Sequence, residues 1–116
     1  FKGCNGEKLS IIKVPGAFEI PATTKMLAKT IRPDAIVTLG AVIKGETKHF
    51  DFIASECTRA IQDLTLLFDI PIIFGVLTTE NTEQALERSE KKDRGYEVME
   101  SAFKMIQTFK DIKTSS

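Results

Sequence analysis

The chain predicts an α/β domain in which a parallel sheet carries helices on both faces. Three observations lead there. Short apolar runs rich in β-branched residues alternate with longer stretches whose apolar residues recur every three or four positions. The clearest run, Ala35 to Ile43, has Thr38 as its one polar side chain, which suits a strand covered on both faces. A length of 116 residues accommodates one domain with a sizeable core, so residues 1–116 are read as a single domain.

Taken in order, Ser10 to Val14 reads as a first strand, stopped by Pro15-Gly16. Pro21 opens a helix where its missing N–H costs nothing, with Met26 and Leu27 turned inward and a break at Arg32-Pro33. Ala35 to Ile43 follows as a strand. From Thr47 the period changes, and Ile53, Cys57, Ala60, Ile61, Leu64, Leu67 and Phe68 trace one buried helical stripe that must end before Pro71. Ile72 to Leu77 repeats the buried-strand composition. Thr78 to Thr82 supplies cap and turn residues for a helix that includes Gln84 to Arg88. A charged loop from Ser89 to Gly95 leads to a last helix, Glu97 to Lys110, with Val98, Ala102, Met105, Ile106 and Phe109 on one side and a frayed tail at 114–116.

Composition narrows the function classes. Sixteen Lys and Arg balance sixteen Asp and Glu, so no surface footprint for a nucleic-acid backbone is expected. No apolar stretch approaches the ~20 residues of a bilayer span, and no charged-then-apolar signal segment opens the chain; the expected location is cytoplasmic, or plastid in a plant. Cys4, Cys57 and a single histidine do not make a metal cluster or a disulfide framework.

In open sheets of this type ligands bind beyond the carboxyl ends of the strands, where loops run into helices. Three such loops stand out: Pro15 to Pro21, Gly45 to His49 and Thr78 to Thr82. In the second, Gly45 allows close backbone approach, Thr47 adds a hydroxyl, Lys44 and Lys48 add positive charge, and His49 sits in the first turn of a helix whose dipole favours neutral imidazole. The same residues also describe an ordinary strand-to-helix turn, and Glu46 opposes anion binding. Arg88 is able to grip a phosphate through two N–H groups or to belong to a solvated basic loop with Lys91, Lys92 and Arg94. Phe18, between Pro15-Gly16 and Pro21, is either a stacking face for a planar heterocycle or a packing residue, and Glu19 either a hydroxyl acceptor or a favourable acid before a helix. The residues alone stop at a phosphate-handling α/β domain.

Three longer motifs add to that reading. VPGAFEIP (Val14 to Pro21), LGAVIKGETKHFD (Leu39 to Asp51) and PIIFGVLTTENTEQALER (Pro71 to Arg88) resemble, in order and spacing, the lumazine synthase family. The resemblance implies a three-layer α/β/α sandwich with a flavodoxin-like parallel sheet. It also implies a transferase of riboflavin biosynthesis that condenses 5-amino-6-(D-ribitylamino)uracil with 3,4-dihydroxy-2-butanone 4-phosphate. Phosphate and water are released, 6,7-dimethyl-8-ribityllumazine is formed, and no organic cofactor or metal is needed.

By position in the motifs, His49 is similar to the family's proton-transfer histidine and Arg88 to its phosphate-binding arginine, with Gly45, Glu46 and Thr47 in the phosphate turn. Ala17, Phe18 and Glu19 match the segment that contacts the ribityl chain and heterocycle, and Ala41, Val42 and Ile43 the strand end lining the pyrimidine pocket. Phe74, Gly75, Val76 and Leu77 would approach from an adjoining subunit of a homopentamer or a pentamer-based icosahedral shell, with riboflavin synthase as a further candidate partner. Glu97 falls where the family carries an acid near the histidine, and either Lys92 or Arg94 stands in for a family lysine in a segment that is shorter here.

The resemblance runs from about Leu9 to the final helix and begins partway through the family pattern, and the first residue is Phe1 rather than Met. A preceding strand, an aromatic loop and a helix are therefore expected to belong to the working enzyme. A non-catalytic ligand-binding or cage-forming homologue and an archaeal-type riboflavin synthase are the alternatives, and the His-Phe-Asp run argues for the synthase resemblance.

Overall fold

The computed structural model describes residues 9–44, 50–79 and 94–115. A 3-10 turn at Ala17–Glu19 leads directly into helix α1 (Ile20–Thr30), followed by strand β1 (Ile36–Ile43), helix α2 (Phe50–Leu67), strand β2 (Ile72–Thr79) and helix α3 (Arg94–Ser115). The two strands run parallel, with Ile36 opposite Ile72 and Ile43 opposite Thr79. Parallel neighbours need a crossover, and α2 provides it.

Alternation along the strands divides the core between two layers. Ile36, Val42, Ile72 and Val76 join Ile20 and Ala28 of α1 and Cys57, Ile61 and Leu64 of α2 in one apolar cluster. Ile61 is 2% exposed, and burying a side chain of that size contributes about 1.5–3 kcal/mol. The opposite face is covered by α3, whose Val98 lies against Gly75 so closely that a β-carbon there would sit 3.0 Å from Val98 Cγ1. Helices thus flank both faces of the described sheet, as the alternating pattern predicts. Thr38, the polar residue of the apolar run, is buried with both bonding capacities used. Its hydroxyl donates to the Ile73 carbonyl at 2.9 Å and accepts the Gly75 N–H at 3.4 Å, tying the strands together where water cannot.

Several elements depart from expectation. Ser10 to Val14 forms no strand: a strand exists through its ladder, and the described sheet contains β1 and β2 alone. Val14 nevertheless packs on the core, while Ile11 is exposed. Met26 points outward, because the inward face of α1 follows Ile20, Thr24 and Ala28 at four-residue steps, with Leu27 beside them. Leu67 is likewise exposed, since the Cys57–Ile61–Leu64–Phe68 stripe passes one position to its side. β2 extends through Thr79, so Thr78 and Thr79 are strand rather than turn. α3 begins at Arg94, and Arg94-Gly95 are helical rather than loop. α3 continues past the expected Lys110 end through Ser115, and the Thr114 and Ser115 hydroxyls both donate to the Asp111 carbonyl. The predicted helix through Gln84–Arg88 lies outside the described residues, as does Ser116.

α1 ends as its sequence directs. The Ile31 and Arg32 N–H groups both donate to the Leu27 carbonyl, at 3.0 and 3.1 Å, and Arg32 turns left-handed with φ 54° before Pro33.

Candidate active site

Among the described residues, the N-termini of α2 and α3 and the turn that opens α1 gather at the carboxyl ends of β1 and β2. α2 leaves that end at Phe50. α3 also starts there and runs back along the sheet, for Val98 in its second turn meets mid-strand Gly75, whereas Ile106 and Phe109 reach Pro33 and Pro71 at the other end. Glu97, exposed in the first turn of α3, is therefore on the site's side of the sheet. Arg94 begins the same helix.

The Pro15–Pro21 segment at this edge is folded on itself and tied to α2. The Glu19 N–H donates to the Gly16 carbonyl at 3.1 Å, closing a tight turn, and Thr23 Oγ1 donates to the Glu19 carbonyl at 3.0 Å. Ala17 faces inward against the core, and its carbonyl accepts a 3.4 Å hydrogen bond from Cys57 Sγ on α2. Burial pushes the Cys57 thiol up from its ordinary range, keeping it a neutral donor. Phe18 faces outward and is 53% exposed, stacked on Phe52 of α2 with ring centroids 6.4 Å apart and planes 17° from parallel. Glu19 is exposed beside it.

At the strand ends, Ala41 lies opposite Leu77, Val42 opposite Thr78 and Ile43 opposite Thr79. Ala41 is exposed and Ile43 and Leu77 are half-buried, so these side chains reach the edge. Val42 and Val76 are buried in this chain's own core, Gly75 is buried between the strands and α3, and Phe74 packs against the core from a half-buried position. Gly45, Glu46, Thr47, His49, Arg88 and Lys92 lie outside the described residues. A separate cleft of about 480 Å³ opens at the amino ends of the strands, lined by Arg32, Asp34, Phe68, Asp69, Phe109 and Lys110. It is at the wrong end of a parallel sheet to be the principal site.

Two residues at this edge escape a reading of the sequence. Cys57 reads there only as one member of a buried stripe. Phe52 lies off that stripe, and an aromatic residue one position outside an otherwise regular apolar face, in the first turn of a helix, is the signal that it has another contact to make.

Comparison with known proteins settles the lineage of this arrangement. The family model of 6,7-dimethyl-8-ribityllumazine synthase matches residues 1–110. The chain belongs to that family. Curated relatives bearing the same name include the protein of Campylobacter hominis, 45% identical over 113 residues that make up 96% of this chain and 72% of the relative. Those of Chlorobium phaeobacteroides and Nautilia profundicola are 45% and 46% identical, each over 112 residues, covering 95% of this chain and 72% and 73% of theirs. Membership in the lumazine synthase family agrees with the resemblance carried by the three motifs and with helices packed on a parallel sheet.

Proposed function

We propose that the chain joins 5-amino-6-(D-ribitylamino)uracil to 3,4-dihydroxy-2-butanone 4-phosphate, releasing phosphate and water, to give 6,7-dimethyl-8-ribityllumazine in riboflavin biosynthesis. One observation carries the reading beyond family membership. The described parts of three motifs far apart in sequence, around Phe18, around Ala41 to Ile43 and around Leu77, meet at the carboxyl edge of one sheet. On this reading Phe18 offers a planar face to the heterocycle, Glu19 accepts from the ribityl hydroxyls, and Ala41 and Ile43 line the pocket of their own subunit. Val42, being buried, serves it through its backbone.

His49 carries protons during imine formation, phosphate elimination and ring closure, and Arg88 with the Gly45–Thr47 turn holds the phosphate. Either Lys92 or Arg94 supplements that charge, and Glu97 orients the histidine. Much of the acceleration then comes from holding an amine and a ketone together, which turns an encounter into a unimolecular step. The reading includes a homopentamer or a shell of pentamers, in which Phe74 to Leu77 serve a neighbour's pocket. Support for self-association is the set of large apolar side chains in solvent among the described residues, Ile11 and Leu66 each 78% exposed.

The test is to mix purified protein with both substrates and follow lumazine fluorescence together with phosphate release. Stoichiometric appearance of the two is expected. Binding without product would overturn the reading in favour of a ligand-binding homologue, and product from lumazine alone in favour of a riboflavin synthase.

A further inference from the structure

Phe18 and Phe52 present an arrangement that core packing does not explain. Both rings are more exposed than buried, 53% and 60%, yet they lie nearly parallel at 6.4 Å. Aromatic residues that merely fill a core are covered on both faces; here the two rings lie alongside each other in an offset, near-parallel pair, and each stays more than half exposed. Directly beside this pair, the carbonyl of Ala17 is tied to Cys57, a side chain only 2% exposed. Consecutive residues of the turn are thus held at two points on one helix, separated by about 7.5 Å of axis. Two anchors on a rigid element remove the pivoting that a single contact would leave.

Resting on the functional reading above, we infer that Phe52 and Cys57 are positioning residues for the pyrimidine substrate: Phe52 packs alongside the Phe18 ring and Cys57 fixes the Ala17 carbonyl, so that the Ala17–Glu19 turn presents its ring and carboxylate in one orientation. Neither residue touches substrate. They act on the heterocycle side of the site and leave the phosphorylated ketone unaffected. Because Phe52 is mostly in solvent, shortening it removes the neighbouring ring with little loss of buried surface. Cys57 acts through a donor, so serine should replace it in function where alanine does not.

The experiment uses the full chain and measures both KM values and kcat, with titration of 6,7-dimethyl-8-ribityllumazine followed by its own fluorescence, and a thermal melt for each variant. Phe52→Leu is expected to raise KM for the pyrimidine and Kd for lumazine by roughly three- to tenfold. KM for the phosphorylated ketone should stay within about twofold, and Phe52→Tyr, which keeps the ring, should match the parent. Cys57→Ala should shift the same two constants by roughly two- to fivefold, the scale of one weak hydrogen bond, with Cys57→Ser restoring them. The inference is overturned if Phe52→Leu leaves both constants unchanged, if both KM values rise together with a lowered melting temperature, or if serine at 57 behaves as alanine does. A parent protein that neither turns over nor binds lumazine overturns the functional reading and this inference with it. An active parent with unaltered variants overturns this inference alone.

Discussion

Replacing Gly75 with alanine tests the packing of the whole sheet at one atom. The added methyl would lie 2.5 Å from the Thr38 carbonyl oxygen, 3.0 Å from Leu39 Cδ2 and 3.0 Å from Val98 Cγ1. Leu39 is 57% exposed and swings aside; Val98 is 3% exposed and β-branched, and the carbonyl belongs to the neighbouring strand. A relaxed C···O contact needs about 3.3 Å, so β1 and β2 must part locally by about 0.8 Å. Overpacking of this kind costs about 1–3 kcal/mol. Parting the strands also weakens the two hydrogen bonds of the Thr38 hydroxyl, each contributing about 0.5–1.5 kcal/mol. Against this, alanine restricts the unfolded chain, which offsets about 0.4–1 kcal/mol.

The expected net loss for Gly75→Ala is about 2–3 kcal/mol, equivalent to a fall of about 10 °C in Tm for a chain of this length. Gly95→Ala is the control, since a β-carbon there meets nothing within 4 Å and Gly95 is helical. It should be neutral or gain up to about 0.5 kcal/mol, because Gly95 stands in the first turn of the helix rather than its interior. Urea unfolding followed by circular dichroism at a fixed protein concentration measures both. If the midpoint of Gly75→Ala matched that of Gly95→Ala, the inferred closeness of β1, β2 and α3 would be wrong.

Other outcomes follow from the site and its support. His49→Ala should slow turnover by about 10²-fold without abolishing it, because positioning persists when the proton carrier is lost; single-turnover fluorescence measures this, and an unchanged rate removes His49 from the mechanism. Arg88→Ala should raise KM for the phosphorylated ketone more than KM for the pyrimidine, and equal weakening in steady-state kinetics would deny it the phosphate. The Cys57 thiol, pushed up by burial, contributes stability that is intact below the ordinary thiol range and is lost as pH rises through its elevated folded value. The urea midpoint should therefore fall as pH climbs above the ordinary thiol range, and fall less steeply in Cys57→Ala.

The strands and helix stripes were legible where the local pattern and the tertiary contact agree. Ile36–Ile43 and Ile72–Thr79 need cover on both faces, and continuous apolar runs state that need directly. Cys57, Ile61 and Leu64 were readable because three- and four-residue spacing leaves one face for them. Met26 and Leu67 show the limit of such counting: hydrophobicity marks a residue as able to be buried, while the helix phase, set by Thr24 and Ala28 or by Leu64 and Phe68, decides whether it is. Ser10 to Val14 has strand composition, but composition supplies no ladder partner. In the site, the turn at Ala17–Glu19 was legible from its prolines and glycine. Its attachment to α2 was not, because Cys57 and Phe52 are 40 and 34 positions from the residues they hold, and no local pattern names a partner at that distance.

The left-handed arginine at the end of α1 has a consequence for evolution of the chain. Arg32 adopts φ 54°, a conformation that an unbranched L-residue holds at a cost of about 1–2 kcal/mol and that asparagine tolerates better. It lines the cleft at the amino ends of the strands, far from the residues read as handling substrate. Stability is therefore held in reserve at a position where one substitution can release it without touching chemistry. A lineage carrying such a reserve can accept a destabilising change near Phe18 or Leu77 and recover the loss at the opposite pole of the molecule.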